Sequence, residues 1–378
     1  MVNSISFKNY KLFREFQTLN IAPFTILLGK NNSGKSAVGK LPTMISSSLE
    51  GNTSVPLTLE TNGVRIGHTY EDLFYNRQIT SSQIEFRINS DDSEIAVVIT
   101  GDRHYNIKVS RLSINGEEVD LSTNKLSGIL PKEWDKNKVR LSFDYIESFR
   151  KFPSASFSDI FGEYNSLGIS GENAYKLLAQ YHQTSNPILK TIGDWFESNF
   201  EGWRINVKDI SGTSQAYEVV LENKFIQPIN IVNTGSGIRQ SLPIVVRSFM
   251  PVEEETLIII EEPETHLHPA AHGNLAERFV DSHLDDPRRY YLIETHSENF
   301  ILRFQRLVAE QKIKASDVAL YYIDYNESEG HSNLQRLEIQ EDGEIDEWPD
   351  NIFNESLDEV LKLRKAQKET RDASPDSK

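Results

Sequence analysis

Cysteine is missing altogether from this 378-residue chain. That excludes a disulfide framework and any thiolate-ligated metal or redox centre. Long apolar runs are missing too: no stretch approaches the roughly 18 residues a bilayer-spanning helix needs. The opening Met1-Val2-Asn3-Ser4 lacks the basic and apolar regions of a secretory leader and reads as the start of a strand. Positive charge is in deficit: 40 Lys and Arg against 56 Asp and Glu give a formal net charge of −16. That favours solubility and argues against a basic surface covering the whole molecule. Residues 132–150, Arg288-Arg289 and 362–371 remain candidates for a local basic groove, although solvated charge explains each more cheaply. There is no internal repeat and no heptad run of the kind a coiled-coil arm requires. These absences point to a cytoplasmic protein without membrane association. What is present is globular in composition, 38% hydrophobic and 25% charged, and long enough for one large or two modest domains.

One stretch organises the rest. The apolar run Phe24-Thr25-Ile26-Leu27-Leu28 ends at Gly29, followed by Lys30-Asn31-Asn32-Ser33-Gly34-Lys35-Ser36. This is G-x-x-x-x-G-K-S between a strand and a helix, the P-loop pattern in the context that pattern needs. Gly29 and Gly34 let the backbone turn so tightly that N–H groups around Asn31, Asn32 and Ser33 converge on a phosphate. Lys35 reaches the β- and γ-phosphates, and the Ser36 hydroxyl suits Mg²⁺.

Around it, 3–7 and 18–28 read as strands, with an aromatic-basic patch at 8–14 between them. A helix from Lys35 is expected to end or bend near Met44 because of Pro42, and the Ser/Gly/Asn-rich 46–56 reads as loop. Alternation over 83–88, 94–99 and 107–112, with a hairpin signal at Asn115-Gly116, predicts a small antiparallel sheet within 57–122. Further on, strands are expected at 139–146, 204–210, 217–222, 256–260, 290–293, 318–325 and 334–339. Helices are expected at 172–181, 188–200, 234–250, 269–284, 299–311 and 356–368.

Three downstream motifs carry chemistry. In Leu257-Ile258-Ile259-Ile260-Glu261-Glu262-Pro263-Glu264 an apolar strand ends in two acids, the second half of a P-loop NTPase. Glu261 is the metal candidate, standing where Asp is usual, its carboxylate one methylene further out. Glu262 is the candidate general base that polarises water. Asn233-Thr234-Gly235-Ser236-Gly237-Ile238-Arg239-Gln240 places small residues at a helix start, which alone reads as a helix cap as readily as an anion site. Tyr290-Tyr291-Leu292-Ile293-Glu294-Thr295-His296-Ser297 ends another apolar strand with a histidine able to touch a γ-phosphate or simply to close the strand. His266 and His268 are spaced i, i+2 without a third ligand, a poor metal site.

The order P-loop, G-S-G-x-x-Q, I-I-I-E-E-P-E-T-H-L-H-P and E-T-H-S resembles the ATP-binding cassette ATPases of the SMC–RecF type. It is most similar to the AAA-ATPase-like proteins of the OLD (overcoming lysogenisation defect) and RecF-like group. Tyr145-Ile146-Glu147-Ser148-Phe149-Arg150 resembles their Y-I-G-P-L-R segment, differing at Glu147 and Ser148. Gly171-Glu172-Asn173 resembles the G-E-N entering their helical lobe, and 342–363 their C-terminal segment.

The resemblance implies an α/β fold, a P-loop NTPase with an ABC-type ATPase head, an antiparallel β subdomain and a helical lobe. Residues 1–150 would form the N-terminal ATPase lobe, 151–230 the helical lobe with connecting strands, 231–340 the C-terminal ATPase lobe and 341–378 a C-terminal segment with a polar tail. It also implies ATP and Mg²⁺ as cofactors and a head-to-tail homodimer. Each site would take 29–36, Glu261, Glu262 and His296 from one chain and Ser236 and Gly237 from the other, with 264–268 near the interface. No coiled-coil arm and no nuclease domain are expected, since about 80 residues follow His296. Expected roles are a switch acting on a separate effector such as a nuclease, in anti-phage defence; a RecF-like DNA repair ATPase on duplex DNA; or a scaffold with little turnover.

Overall fold

In the computed structural model, residues 1–367 are described except for 159, 161, 163, 165, 211, 213–215, 346–347, 350–351 and 354–358. The centre is a six-stranded sheet. Its members are β3 (Phe24–Gly29), β7 (Ser142–Ile146), β11 (Thr256–Glu261), β12 (Arg289–Glu294), β13 (Val318–Asn326) and β14 (His331–Leu337), in the order β7-β11-β12-β3-β13-β14. All neighbours are parallel except the edge pair β13–β14. The parallel strands are near-continuous apolar runs because both faces are covered. Ile258 and Ile260 enter a core shared with the helical side, while Leu257 and Ile259 enter the other.

On the second face lies an antiparallel sheet. It comprises β1 (Val2–Lys8), β2 (Gln17–Asn20), β4 (Gln83–Ser90), β5 (Glu94–Gly101), β6 (Ile107–Ile114) and the short Glu117–Glu118, in the order β2-β1-β4-β5-β6-edge. The N-terminal strands thus belong to this sheet, and β1 pairs with both β2 and β4. Asn115 and Gly116 both have positive φ, 53° and 81°, as the two-residue hairpin demands.

Between the sheets runs α1 (Lys35–Glu50), which corrects two expectations. Pro42 does not stop it, and 46–50 continue the helix rather than forming loop. The reason is burial: Val38, Leu41, Met44, Ile45 and Leu49 are at most 2% exposed. Each such side chain is worth about 1.5–3 kcal/mol, together more than the ~3 kcal/mol of an internal proline. Gly51 ends the helix at φ 62°, its N–H donating to Ser47 O at 3.2 Å.

The first face carries α2 (Ala174–Gln183), α3 (Pro187–Asn199), α4 (Ser236–Phe249), α5 (Pro269–Asp285) and α6 (Glu298–Ala309). Beside α2 and α3 sits a three-stranded sheet of β8 (Arg204–Asp209), β9 (Tyr217–Asn223) and β10 (Ile226–Asn230). The last strand was not expected. Pro228 weakens its signal, and the strand is an edge, where proline is tolerated. At the C-terminus 359–367 are helical and exposed; the remainder of the expected 356–368 helix lies outside the described residues. Among the described residues no helix is long and apolar enough to cross a membrane.

Candidate functional site

The central sheet brings β3, β12 and β11 to the same edge by their carboxyl ends. Register pairs Glu261 with Glu294, and Glu294 with Leu27. The P-loop and both acid-ended strands therefore empty into one region, where ligands bind in open α/β sheets.

The loop is built by close approach. Gly29 has φ 147°, and a Cβ there would lie 2.3 Å from Ile323 O. Gly34 has φ 106° and rests on the buried Phe13 ring, 3.0 Å from where a Cβ would be. That contact gives the aromatic-basic patch at 8–14 a structural purpose. Lys35 is only 4% exposed, and its Nζ donates to Gly29 O and Lys30 O, both at 2.8 Å. Burial pushes its pKa down, opposed by Glu294, Glu262 and Glu264.

A cleft of about 600 Å³ opens on this loop, lined by Leu12, Asn31, Asn32, Gly34, Lys35, Ser36, Ala37, Glu262, Glu294 and His296. Seven of the expected site residues thus share one space. Ser33 lies buried behind it with its hydroxyl unpaired, and Gly29 faces a smaller cleft with Lys30, His296, Ile352 and Phe353. Ser236 and Gly237 line neither.

The carboxylates are not equivalent. Glu294, 7% exposed, accepts a hydrogen bond from the Ser36 hydroxyl at 3.1 Å through Oε1, while its buried Oε2 has no partner. Burial, then the Glu261 charge, raises its pKa to about 7, against the pull of Lys35 and Ser36. Glu261 turns away: Oε1 accepts from the Tyr145 hydroxyl and pairs with Lys40 Nζ at 3.6 Å, and Oε2 accepts from Ser148 N at 3.3 Å. Glu262 sits at φ 42°, a strained conformation for a non-glycine residue, with Thr265 Oγ1 donating to its Oε2 at 3.0 Å. Glu264 Oε1 accepts from the His296 N–H at 2.7 Å and so anchors the histidine loop. Burial and Lys35 push the His296 pKa down, against Glu264 and Glu262, favouring a neutral ring.

Arg150 is wholly buried. Its Nη2 donates to Glu261 O and, at 3.0 Å, to Glu262 O. Its own backbone is gripped by Gln240 of α4, at 3.3 Å on the N–H and 3.0 Å on the carbonyl. This links the G-S-G-x-x-Q motif to the acid pair. It also removes Arg150 from any basic groove. Arg289 is 7% exposed, and the exposed Arg288 and Arg140 pair with Asp286 and Glu254. His268 caps α5, its ring accepting from Ala270 N at 3.2 Å.

Residues 24–303 match the family model described as "AAA domain, putative AbiEii toxin, Type IV TA system". The chain belongs to this family. Residues 313–363 match a second model, "Protein of unknown function (DUF3696)". No curated protein matches the sequence. Among solved structures, the chain is similar to an Smc head bound to the C-winged helix domain of ScpA, at 12% identity and TM-score 0.52, covering 89% of this chain and 98% of that one. It is also similar to an Smc head with an extended coiled coil bound to the C-terminal domain of ScpA from Pyrococcus furiosus, at 13% identity and TM-score 0.51, covering 97% and 99%. The expected fold, a P-loop ATPase head of the ABC and SMC type, is the one found.

For an AAA-family chain the donor set suits a hard divalent cation shared with phosphate oxygens. The Ser36 hydroxyl and the Glu262 and Glu294 carboxylates, with one Glu294 oxygen orphaned, are oxygen ligands of the kind Mg²⁺ takes. Among the described residues no group of three or more His, Asp and Glu forms a metal cage by itself, so phosphate would have to complete the shell. Sequence reasoning missed Glu294, Arg150, Gln240 and Leu12 as parts of the site. The signal for Glu294 was present: two apolar strands, Leu257-Ile258-Ile259-Ile260 and Tyr291-Leu292-Ile293, each end in Glu.

Proposed function

We propose that this chain is an ATP-hydrolysing switch that dimerises head-to-tail around ATP and controls a separate effector. The observation that carries this reading is the cleft itself. Lys35, Ser36, Glu262, Glu294 and His296 line it together, while Ser236 and Gly237 lie elsewhere in the same chain. The half-site has a phosphate cradle and a base, and the small-residue helix start of a second copy would cap the γ-phosphate.

In this reading the N–H groups of 30–36 and Lys35 hold the β- and γ-phosphates, and Ser36 with a carboxylate would hold Mg²⁺, which would supply charge neutralisation of the phosphates. Glu262 orients and deprotonates the attacking water. Its strained backbone is fixed by Arg150 and Thr265, so the carboxylate is aimed before nucleotide arrives. His296, neutral and tethered through Glu264, reads the γ-phosphate. Release of phosphate would loosen the dimer.

An effector role is supported by the toxin–antitoxin description of the family and by SMC-type heads whose structures contain a bound ScpA domain. A nuclease effector and a part in anti-phage defence are the specific form we propose. The alternative, a RecF-like ATPase on duplex DNA, is disfavoured by the net charge of −16 and by the buried or paired arginines. The test is Glu262→Gln: it should bind ATP with wild-type affinity, release no phosphate and elute as an ATP-dependent dimer. Wild-type turnover in this variant would move the base elsewhere.

A further inference from the structure

We propose that Glu294, rather than Glu261, is the protein carboxylate that holds the divalent cation beside Ser36. The proposal deepens the nucleotide-binding reading above and rests on it.

Three independent observations converge. First, Ser36 already donates to Glu294 Oε1 at 3.1 Å, so hydroxyl and carboxylate are close enough to share one ion. Second, the free valence differs. Glu294 Oε2 is buried without a partner, whereas both Glu261 oxygens are occupied by Tyr145, Lys40 and Ser148. A buried carboxylate oxygen without a donor is costly unless something positive answers it. Third, Glu294 lines the cleft with Lys35 and Ser36, and Glu261 does not.

The sheet explains the exchange of roles. β12 lies between β11 and β3. The backbone at Glu294 is therefore one strand spacing of about 4.8 Å from the P-loop strand, and that at Glu261 two. The longer side chain at 261 folds back into the Tyr145–Lys40–Ser148 pocket.

The test measures metal rather than turnover. Mn²⁺ is titrated by electron paramagnetic resonance into wild type, Glu294→Gln and Glu261→Gln, each saturated with a non-hydrolysable ATP analogue. Nucleotide affinity is measured separately in EDTA. The expected result is a loss of Mn²⁺ affinity of about tenfold or more in Glu294→Gln, a change under about threefold in Glu261→Gln, and unaltered metal-free nucleotide affinity in both. Loss in Glu261→Gln with Glu294→Gln unaffected, or equal losses in both, overturns the assignment while leaving the nucleotide site intact. Failure of the wild type to bind nucleotide overturns the underlying reading and this proposal with it.

Discussion

A buried acid that awaits a cation should weaken the empty protein, and Glu294 makes this measurable. Burial, and next the Glu261 charge, raises its pKa from 4.5 to about 7. The folded state therefore holds this proton more tightly than the unfolded chain does. Stability from this group is fully present below pH 4.5 and is lost progressively as pH rises, the loss levelling off once pH passes about 7. At about 1.36 kcal/mol per pKa unit, ionisation between about pH 5 and pH 8 costs the nucleotide-free protein about 2.5 kcal/mol. Glu294→Gln keeps the shape and the acceptor for Ser36 but cannot ionise. In urea denaturation with EDTA present, the stability of the variant relative to wild type should rise by about that amount between pH 5 and pH 8. Groups away from the site titrate identically in both proteins, so the difference between the two curves reports Glu294 together with the neighbours coupled to it. A difference that does not change with pH, or that grows as pH falls, would refute the reasoning. Such a variant, steadier when empty yet poorer at holding metal, would show a functional site maintained at the expense of stability.

Other perturbations reach other parts of the site. Lys35→Ala should abolish ATP binding, because it removes the buried ammonium that closes the loop through Gly29 and Lys30; unchanged affinity by calorimetry would sink the phosphate assignment. Ser236→Arg should leave nucleotide binding by the monomer intact and stop phosphate release, and persistent hydrolysis would remove the shared-site arrangement. Arg150→Met deprives Glu261 O and Glu262 O of their buried donor, which should cost about 3 kcal/mol in denaturant titration. The same variant should lower kcat more than nucleotide affinity, and an equal loss in both would mean that Arg150 supports the fold without aiming Glu262.

Much of this was legible in the chain because strand signals and site signals coincide. The apolar runs at 24–28, 257–260 and 291–293 read as buried parallel strands, and each leads into the site: the first into the P-loop, the second to Glu262 just beyond its end, the third to Glu294. What could not be read was contact between distant segments. Nothing local in Tyr145-Ile146-Glu147-Ser148-Phe149-Arg150 says that its arginine will be wholly buried under the turn after β11, or that Gln240 will grip its backbone. The α1 boundary failed for a related reason. Small residues at 46–51 look like loop, yet Ser46 reaches Leu141 O, and Gly51 and Gly128 let two backbones touch. Composition describes propensity, and here packing overrode it.

The two carboxylates show what a motif alone leaves open. A motif attaches a role to a position in the chain, but a metal responds to a position in space. Glu261 follows the long apolar run and so attracts the metal assignment; Glu294 follows a run of the same kind and attracted none. The assignment proposed above separates them by their surroundings, with β12 lying between β11 and the P-loop strand. Once that order is known, the acid pair Glu261↔Glu294 becomes the relevant unit. One member has Lys40, Tyr145 and Ser148 as partners, and the other is left facing Ser36 with an oxygen to spare. The division of labour follows from which partners each carboxylate has already found, and it predicts that removing Tyr145 or Lys40 would free Glu261 to compete for the ion.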